Sequence, residues 1–344
     1  MSIVKRSRSG IKNLVFGDTL LPQEFTIGMN EPNAEVSVWL HGTGAPIDVT
    51  RSHSTACSDP FTVCIAFSDR QRLNENELGR LSLKFSERDG RRRVLGEIGL
   101  RPAECISLPG VALLLFRARS ATNHCLPALR LSAHYLLQAY ALWRSENTSG
   151  MRMSFLDRRA AIVTFIRPHP VMLVSAAEQD AGNMFPMNLM GELGPDRLAF
   201  ALKDSRRAAH LVERVRRVAL SSVPISHSAF AFRLAVNHFK DSVPWHELPF
   251  PTKRSATFDI PVPVFTPRVR EVEVEKVHRI GSHTLFVARV VHDERFAEAA
   301  ELCVIHGFYQ AWRLKRDRAE LAASVREDSR HKGLCGVEEP SHAA

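Results

Sequence analysis

Asp204-Ser205-Arg206-Arg207 stands where a strand-like run, RLAFALK (197–203), gives way to a helix-spaced run, SRRAAHLVERVRR (205–217). An Asp or Ser at such a corner caps the first free backbone N–H groups of a helix, a contribution of about 1 kcal/mol. Capping accounts for Asp204 or Ser205. It does not account for two arginines in the first turn, where the helix dipole favours acids. An anion at the helix start resolves the conflict: free N–H groups, a hydroxyl and two guanidinium forks converge on one phosphate. Just upstream, NMFPMNLMGEL (183–193) makes an odd strand. Its alternation is poor, Pro186 removes a ladder donor, and Asn183 and Asn188 are residues that strands avoid. Met184, Met187 and Met190 can simply fill irregular gaps in a core. The other reading is a strand whose free backbone groups and polar side chains lie along a flat, hydrogen-bonding ring beside the phosphate corner.

Other chemistries find no foothold. The sequence contains no GxGxxG, GxxxxGK[ST], GxSxG or HExxH, so the common dinucleotide, P-loop, hydrolase and zinc-protease signatures are missing. HGTG (41–44) lacks a strand–loop–helix frame and reads as a turn. His53, Cys57 and Cys64 match no common zinc spacing, and no metal is expected.

Composition narrows the class further. A chain of 344 residues has room for two ordinary domains. Apolar residues at 44% and charged residues at 24% can build a sizeable core. No apolar run approaches the roughly 18–20 residues that span a bilayer, so no membrane partner is expected. The start, MSIVKRSRSGIKNLVFGD, is basic with an apolar run too short for a secretory signal. It reads as a disordered tail, with an organelle transit peptide as the other reading. Six cysteines without a CxxC pair point to a reduced, cytoplasmic home. The net charge of +9 raises nucleic acid as a partner. The arginines, however, are scattered and no aromatic-interleaved motif accompanies them, so a solvated surface is the expectation.

The elements that must position the corner follow from periodicity. In the first half, EVSVWLHG (35–42), FTVCIAFS (61–68) and GRLSLKFSE (79–87) alternate as strands. ERDGRRR (87–93) holds an Asp-Gly hairpin turn, and GVALLLFRA (110–118) is apolar enough to be buried on both faces. PALRLSAHYLLQAYALWRSEN then shifts to helix spacing over 127–146, and NTSG (147–150) marks a domain boundary. The second half opens with a short helix or linker (151–160) and a run broken by Arg167-Pro168-His169-Pro170. Strands VMLVSAA, NMFPMNLMGEL and RLAFALK follow, then the helix from Ser205, a strand VALSSVP, a helix SHSAFAFRLAVNHF, and an irregular DSVPWHELPFPTKR. EVEVEKVHRIGSHTLFVARVVHDE forms a hairpin at Gly281-Ser282. Residues from Phe296 to about Val325 read as helix and the last twenty as disordered. No internal repeat is evident by eye.

With these residues in place, HPVMLVSAAEQDAGNMFPMNLMGELGPDRLAFALKDSRRAAHL resembles the first half of the flavin reductase-like, FMN-binding split-barrel family. Pro170–Val174, Asn183–Asn188 and Ser205–Ala208 stand where that family carries Pro-Val-x-Leu-Val, Asn-x-x-Pro-[FY]-[ST] and Ser-x-[RK]-[TS]. GSHTLFVARVV (281–291) is similar to its later Gly-Asp-His strand. The resemblance covers roughly 155–312. It implies a six-stranded, Greek-key-like antiparallel split barrel with accessory helices, and a homodimer with FMN near the interface. It places the flavin ring along Asn183, Pro186, Met187, Asn188 and Leu189, the phosphate at Ser205, Arg206 and Arg207, and His283 near flavin or nicotinamide as the catalytic candidate. Met187, Asn188, Ala208 and Ala288 depart from the pattern. Asn can still donate and the second Arg can compensate, so the departures point to a weaker or exchanging flavin.

The expectation is therefore a mainly β protein with accessory helices. Residues 1–150 form a β-rich domain closed by a helix, 151–325 the split barrel, and 326–344 a disordered tail. Its function is NAD(P)H-dependent reduction of FMN, with FAD as the alternative flavin, and reduced flavin passes to a monooxygenase partner. The rival is a non-catalytic flavin- or partner-binding module with a polyanion-binding basic surface.

Overall fold

The computed structural model describes residues 24–68, 79–88, 92–144, 153–178, 181–316 and 322–324, and antiparallel strands dominate it. The basic start (1–18), Asp89-Gly90 of the expected turn, NTSG (147–150) and the tail from 326 lie outside the described residues.

After β1 (Glu24–Met29) come β2 (Val36–His41), β3 (Ile47–Asp48), β4 (His53–Ser58), β5 (Phe61–Ser68), β6 (Ser82–Glu87), β7 (Val94–Leu108) and β8 (Val111–Asn123). These last seven form one sheet in the order β3-β2-β6-β7-β8-β5-β4. The alternating residues do what their period demands: Val36, Val38 and Leu40 meet Val63, Ile65, Phe67, Leu83 and Phe85 in one core. β7 runs fifteen residues, a strand that periodicity does not predict. Bulges at Gly99/Leu100 and Pro102/Glu104 shift its faces part-way along and hide the alternation. Helices α1 (Ala128–Arg144) and α2 (Phe155–Thr164) follow. Ser154 caps α2 by accepting from the Asp157 N–H, and Asp157 accepts from the Phe61 N–H at 2.9 Å, which ties the helix to β5.

The second half holds β9 (His169–Pro170), β10 (Met172–Glu178), β11 (Ala181–Met187), β12 (Met190–Glu192), β13 (Arg197–Lys203), helix α3 (Arg207–Val215) and β14 (Arg217–Ser222). A long connection, 223–267, carries α4 (Ser228–Arg233), the 3-10 turn Leu234–Phe239, β15 (Thr252–Arg254) and β16 (Pro261–Pro263). The paired strands β17 (Arg268–Ile280) and β18 (His283–Arg295) form the expected hairpin. The sheet order is β11-β10-β14-β17-β18-β13-β12, seven strands and not the expected six. The extra strand arises because NMFPMNLMGEL breaks at Asn188-Leu189: β11 pairs with β10 and β12 with β13. Met172, Val174, Phe185, Phe200, Leu220 and Phe286 fill the barrel, and Ala208, Leu211 and Val212 of α3 close it.

Two expected helices are altered. The run 226–239 divides into α4 and a 3-10 turn, because Asn237 and Lys240 are pinned to β11 by hydrogen bonds described below. The stretch from Phe296 begins instead with β19 (Glu301–His306), then α5 (Gly307–Leu314) and β20 (Ala322–Ser324). All six β19 residues are buried, so no alternation distinguishes strand from helix there. β19 pairs with β1 from Glu24↔His306 to Met29↔Glu301, in a sheet ordered β20-β1-β19-β9.

The two large sheets touch where β4 lies on β12 and β13. Gly191 of β12 makes this possible: a Cβ there would clash with the His53 carbonyl and come within 2.8 Å of the Ser54 Cα. Because both obstacles are backbone, Gly191→Ala should destabilise the protein by about 2–3 kcal/mol, read as a lower urea midpoint. A midpoint unchanged from the parent would show that β4 and β12 are not in this contact.

Candidate functional site

The corner after β13 forms as expected, but its bonds do not. Arg206 is the residue before the first helical turn of α3, with no side-chain cap bond. Asp204 is held elsewhere, accepting from the Thr284 hydroxyl, while its N–H donates to Ser282 O at 3.1 Å. Ser205 is exposed. The Arg206 guanidinium lies 3.6 Å over the ring of Phe239, which is 62% exposed. Lys203 stands at the same rim, its ammonium pushed below the usual lysine range by burial and then by the Arg206 charge. Arg207 turns to Asp241, 3.7 Å away on the open surface.

Between these elements lies a cavity of about 410 Å³. Pro186, Met187, Asn188 and Leu189 form one wall, Ala201–Lys203 and Arg206 another, and Ala235, His238 and Phe239 cover it. His283, first residue of β18, completes the lining. Among the sequence candidates the fold thus gathers Pro186, Met187, Asn188, Leu189, Arg206 and His283. Asn183, Ser205 and Arg207 lie outside the lining. Lys203, His238 and Phe239 also line the cavity and belong to no motif of the sequence. Lys203 ends the strand leading into the corner, a readable signal, whereas His238 and Phe239 come from a distant connection and give none.

Asn183 explains its presence in a strand by what it holds. Fully buried, it donates from Nδ2 to Asn237 O at 2.9 Å and Lys240 O at 2.8 Å. Asn237 Nδ2 donates back to Met184 O at 2.9 Å, and His238 Nε2 donates to Pro186 O at 2.7 Å. Valine at 183 would leave those buried carbonyls unmet, at about 1–3 kcal/mol each. His169 steadies the other edge, its Nδ1 3.2 Å from Asn188 O, and burial pushes its pKa down to about 4.

His283 is buried, its Nδ1 2.8 Å from Ser282 Oγ and 3.6 Å from Cys57 Sγ of β4. Burial pushes its pKa down to about 4, against the opposing pull of Asp204. Burial also pushes the Cys57 thiol up. The pair is therefore thiol and neutral imidazole at neutral pH, unlike the thiolate–imidazolium of a nucleophilic cysteine. What the site offers is two cations at a rim, an exposed aromatic ring, polar backbone along Pro186–Leu189, and a neutral histidine. That set suits an anionic ligand with a flat ring, held and oriented without acid–base chemistry from the protein. A larger cavity, about 610 Å³, lies beside α1 and α2. Its lining includes Leu131, Tyr135, Leu136 and Phe155, with Arg159 stacked on both aromatic rings.

Residues 166–313 match the flavin reductase like domain family. The C-terminal half carries a flavin reductase-like domain. The domain runs from the end of α2 to α5 and contains every residue of the cavity lining. Its fold is similar to an FMN-binding protein from Thermus thermophilus with bound p-hydroxybenzaldehyde, at 23% identity over 37% of this chain and 72% of the other, TM-score 0.34. It is also similar to the styrene monooxygenase flavin reductase from Pseudomonas putida S12, at 20% identity over 43% and 93%, TM-score 0.36. A third is the NADH:FAD oxidoreductase of Streptomyces globisporus C-1027, at 15% identity over 44% and 89%, TM-score 0.39. No curated protein matches the chain. Of the departures from the family pattern, Ala208 and Ala288 are fully buried in the core of the flavin reductase-like domain and Met187 nearly so, whereas Asn188 is half-buried at the cavity. No helix among the described residues is long and apolar enough to cross a membrane.

Proposed function

We propose that the cavity binds FMN and that the protein reduces flavin with NAD(P)H. The observation that carries this reading is that Lys203 and Arg206 line the same cavity as the Pro186–Leu189 segment. Arg206 and Lys203 take the phosphate, with the N-terminus of α3 behind them. Asn188 and the neighbouring backbone face the ring, and Phe239 shields it. When bound, the flavin supplies the acceptor for a hydride from nicotinamide C4, at N5. The chain's own tasks are to stack the two rings, to exclude water, and to present His283 as a neutral hydrogen-bonding group with Nδ1 already engaged. No general acid or base is required, in keeping with a site that assembles none.

The open rim and the half-buried Asn188 support a flavin that exchanges, as the supply of a monooxygenase would require; FAD fits the same phosphate corner. The described cysteines are all free thiols, which supports a cytoplasmic setting.

The test is steady-state oxidation of NADH and of NADPH with and without added FMN. The reductase reading expects flavin-dependent nicotinamide oxidation that saturates in FMN. Saturable FMN binding without oxidation of either nucleotide would leave a non-catalytic flavin-binding module, the rival reading.

A further inference from the structure

The two seven-stranded sheets have one topology. Numbered by appearance within each sheet, both run 2-1-5-6-7-4-3. The likeness extends to register: Thr62–Ser68 pairs with Val111–Arg117 as Arg197–Lys203 pairs with His283–Arg289, residue for residue. Equivalent positions also share one core. Cys64 and Ala199, Leu113 and Leu285, Leu115 and Val287 are three such pairs, and all six residues lie in a single core between the sheets. A two-fold axis produces this pattern, in which the same patch is used from both sides.

The copies differ where the ligand site is built. The positions equivalent to Lys203 and His283 are Ser68 and Val111. The covering residues Ala235, His238 and Phe239 belong to the connection 223–267 between the fifth and sixth strands, whereas the first copy joins those strands through 88–93. The first copy nonetheless reaches the site of the second. Asp59 O, in the β4–β5 turn, accepts from the Ser282 N–H at 2.9 Å, and Cys57 Sγ sits beside His283. Gly281, with φ +53°, lies so close to Asp59 and Pro60 that a Cβ there would clash with both.

We propose that the chain is a fused pseudo-dimer: residues 36–123 stand where a second copy of the flavin reductase-like barrel would stand, hold the cavity residue His283 from behind in cis, and bind no flavin themselves. One chain then binds one flavin without a partner chain. The homodimer implied by the family resemblance is replaced by the duplicated half. The flavin part rests on the function proposed above; the architecture does not.

Ser282→Cys in the full chain tests it, since Ser282 Oγ is 3.8 Å from Cys57 Sγ and a small shift brings two sulfurs into bonding range. Mild oxidation should link Cys57 to the new cysteine within one chain, shown by peptide mass and by monomer migration on a non-reducing gel. Sedimentation of the unmodified chain should give a single species at 38.6 kDa, and FMN should saturate at one per chain. A link between chains, no link at all, a stable dimer of the unmodified chain, or two flavins per chain would each overturn the proposal. If Ser282→Cys fails to fold, sedimentation of the unmodified chain decides alone. A chain that links in cis at monomer mass but binds no flavin would defeat the reductase reading and leave the fused pseudo-dimer standing.

Discussion

Glu35→Ala should destabilise the protein by about 3–5 kcal/mol, the largest effect expected of any single substitution here. Glu35 precedes β2, and its carboxylate receives Arg313 of α5 in a forked pair, Nε to Oε2 at 2.9 Å and Nη2 to Oε1 at 3.0 Å. The Tyr309 hydroxyl donates to the same carboxylate at 2.7 Å, and burial with that negative neighbour holds its pKa well above the usual tyrosine range. The side chains of Arg313 and Glu35 are 5% and 15% exposed, so alanine at 35 strands a guanidinium where water cannot replace the carboxylate. Urea denaturation followed by tryptophan fluorescence measures the loss. The paired change Glu35→Met with Arg313→Met should recover most of it, because two apolar side chains of similar volume leave no buried charge. A loss below about 1 kcal/mol for Glu35→Ala would mean the pair is wet and weak.

Arg206→Ala should weaken FMN binding by about ten- to a hundredfold, the worth of one or two charge-assisted hydrogen bonds at about 1.5–3 kcal/mol. Arg207→Ala should change the dissociation constant by less than about twofold, since its guanidinium faces Asp241 on the open surface. Riboflavin, which has the same ring and no phosphate, should bind both variants and the parent alike. Fluorescence titration of the three proteins with both ligands separates these outcomes. Equal losses for Arg206→Ala with FMN and with riboflavin would remove the phosphate from the corner and point to ring stacking instead.

The strands with clean alternation could be read from sequence alone. β2, β5, β6 and the β17–β18 hairpin fall where period two and a Gly-Ser turn place them. β7 could not, because bulges exchange its faces, and neither could β19, where burial on both sides erases the pattern. The duplication escaped because it resides in pairing order and register, which side chains do not spell out. Lys203 and Ser68 occupy one position with unrelated chemistry, as do His283 and Val111. At the site, the motifs that carry the family resemblance include residues that line the cavity, Pro186–Leu189 and Arg206. They could not separate Arg206 from Arg207, because one residue of helix phase decides which guanidinium overlooks the cavity. Asn183 stands out in the sequence because polar side chains are rare in strands; its partners are carbonyls of a segment some fifty residues later, visible only once folded.

The pairing of β1 with β19 joins the beginning of the described chain to its end, and this has a consequence for synthesis. The core lined by Ile27, Val38 and Phe85 also contains Cys303, Ile305, Phe308 and Trp312. The first barrel to leave the ribosome is thus the last to be finished, since its missing wall is translated after the whole of the second. Until then it presents an apolar flank that a holding chaperone can recognise. A premature stop before β19 would do its main damage far upstream, in residues that had already been made.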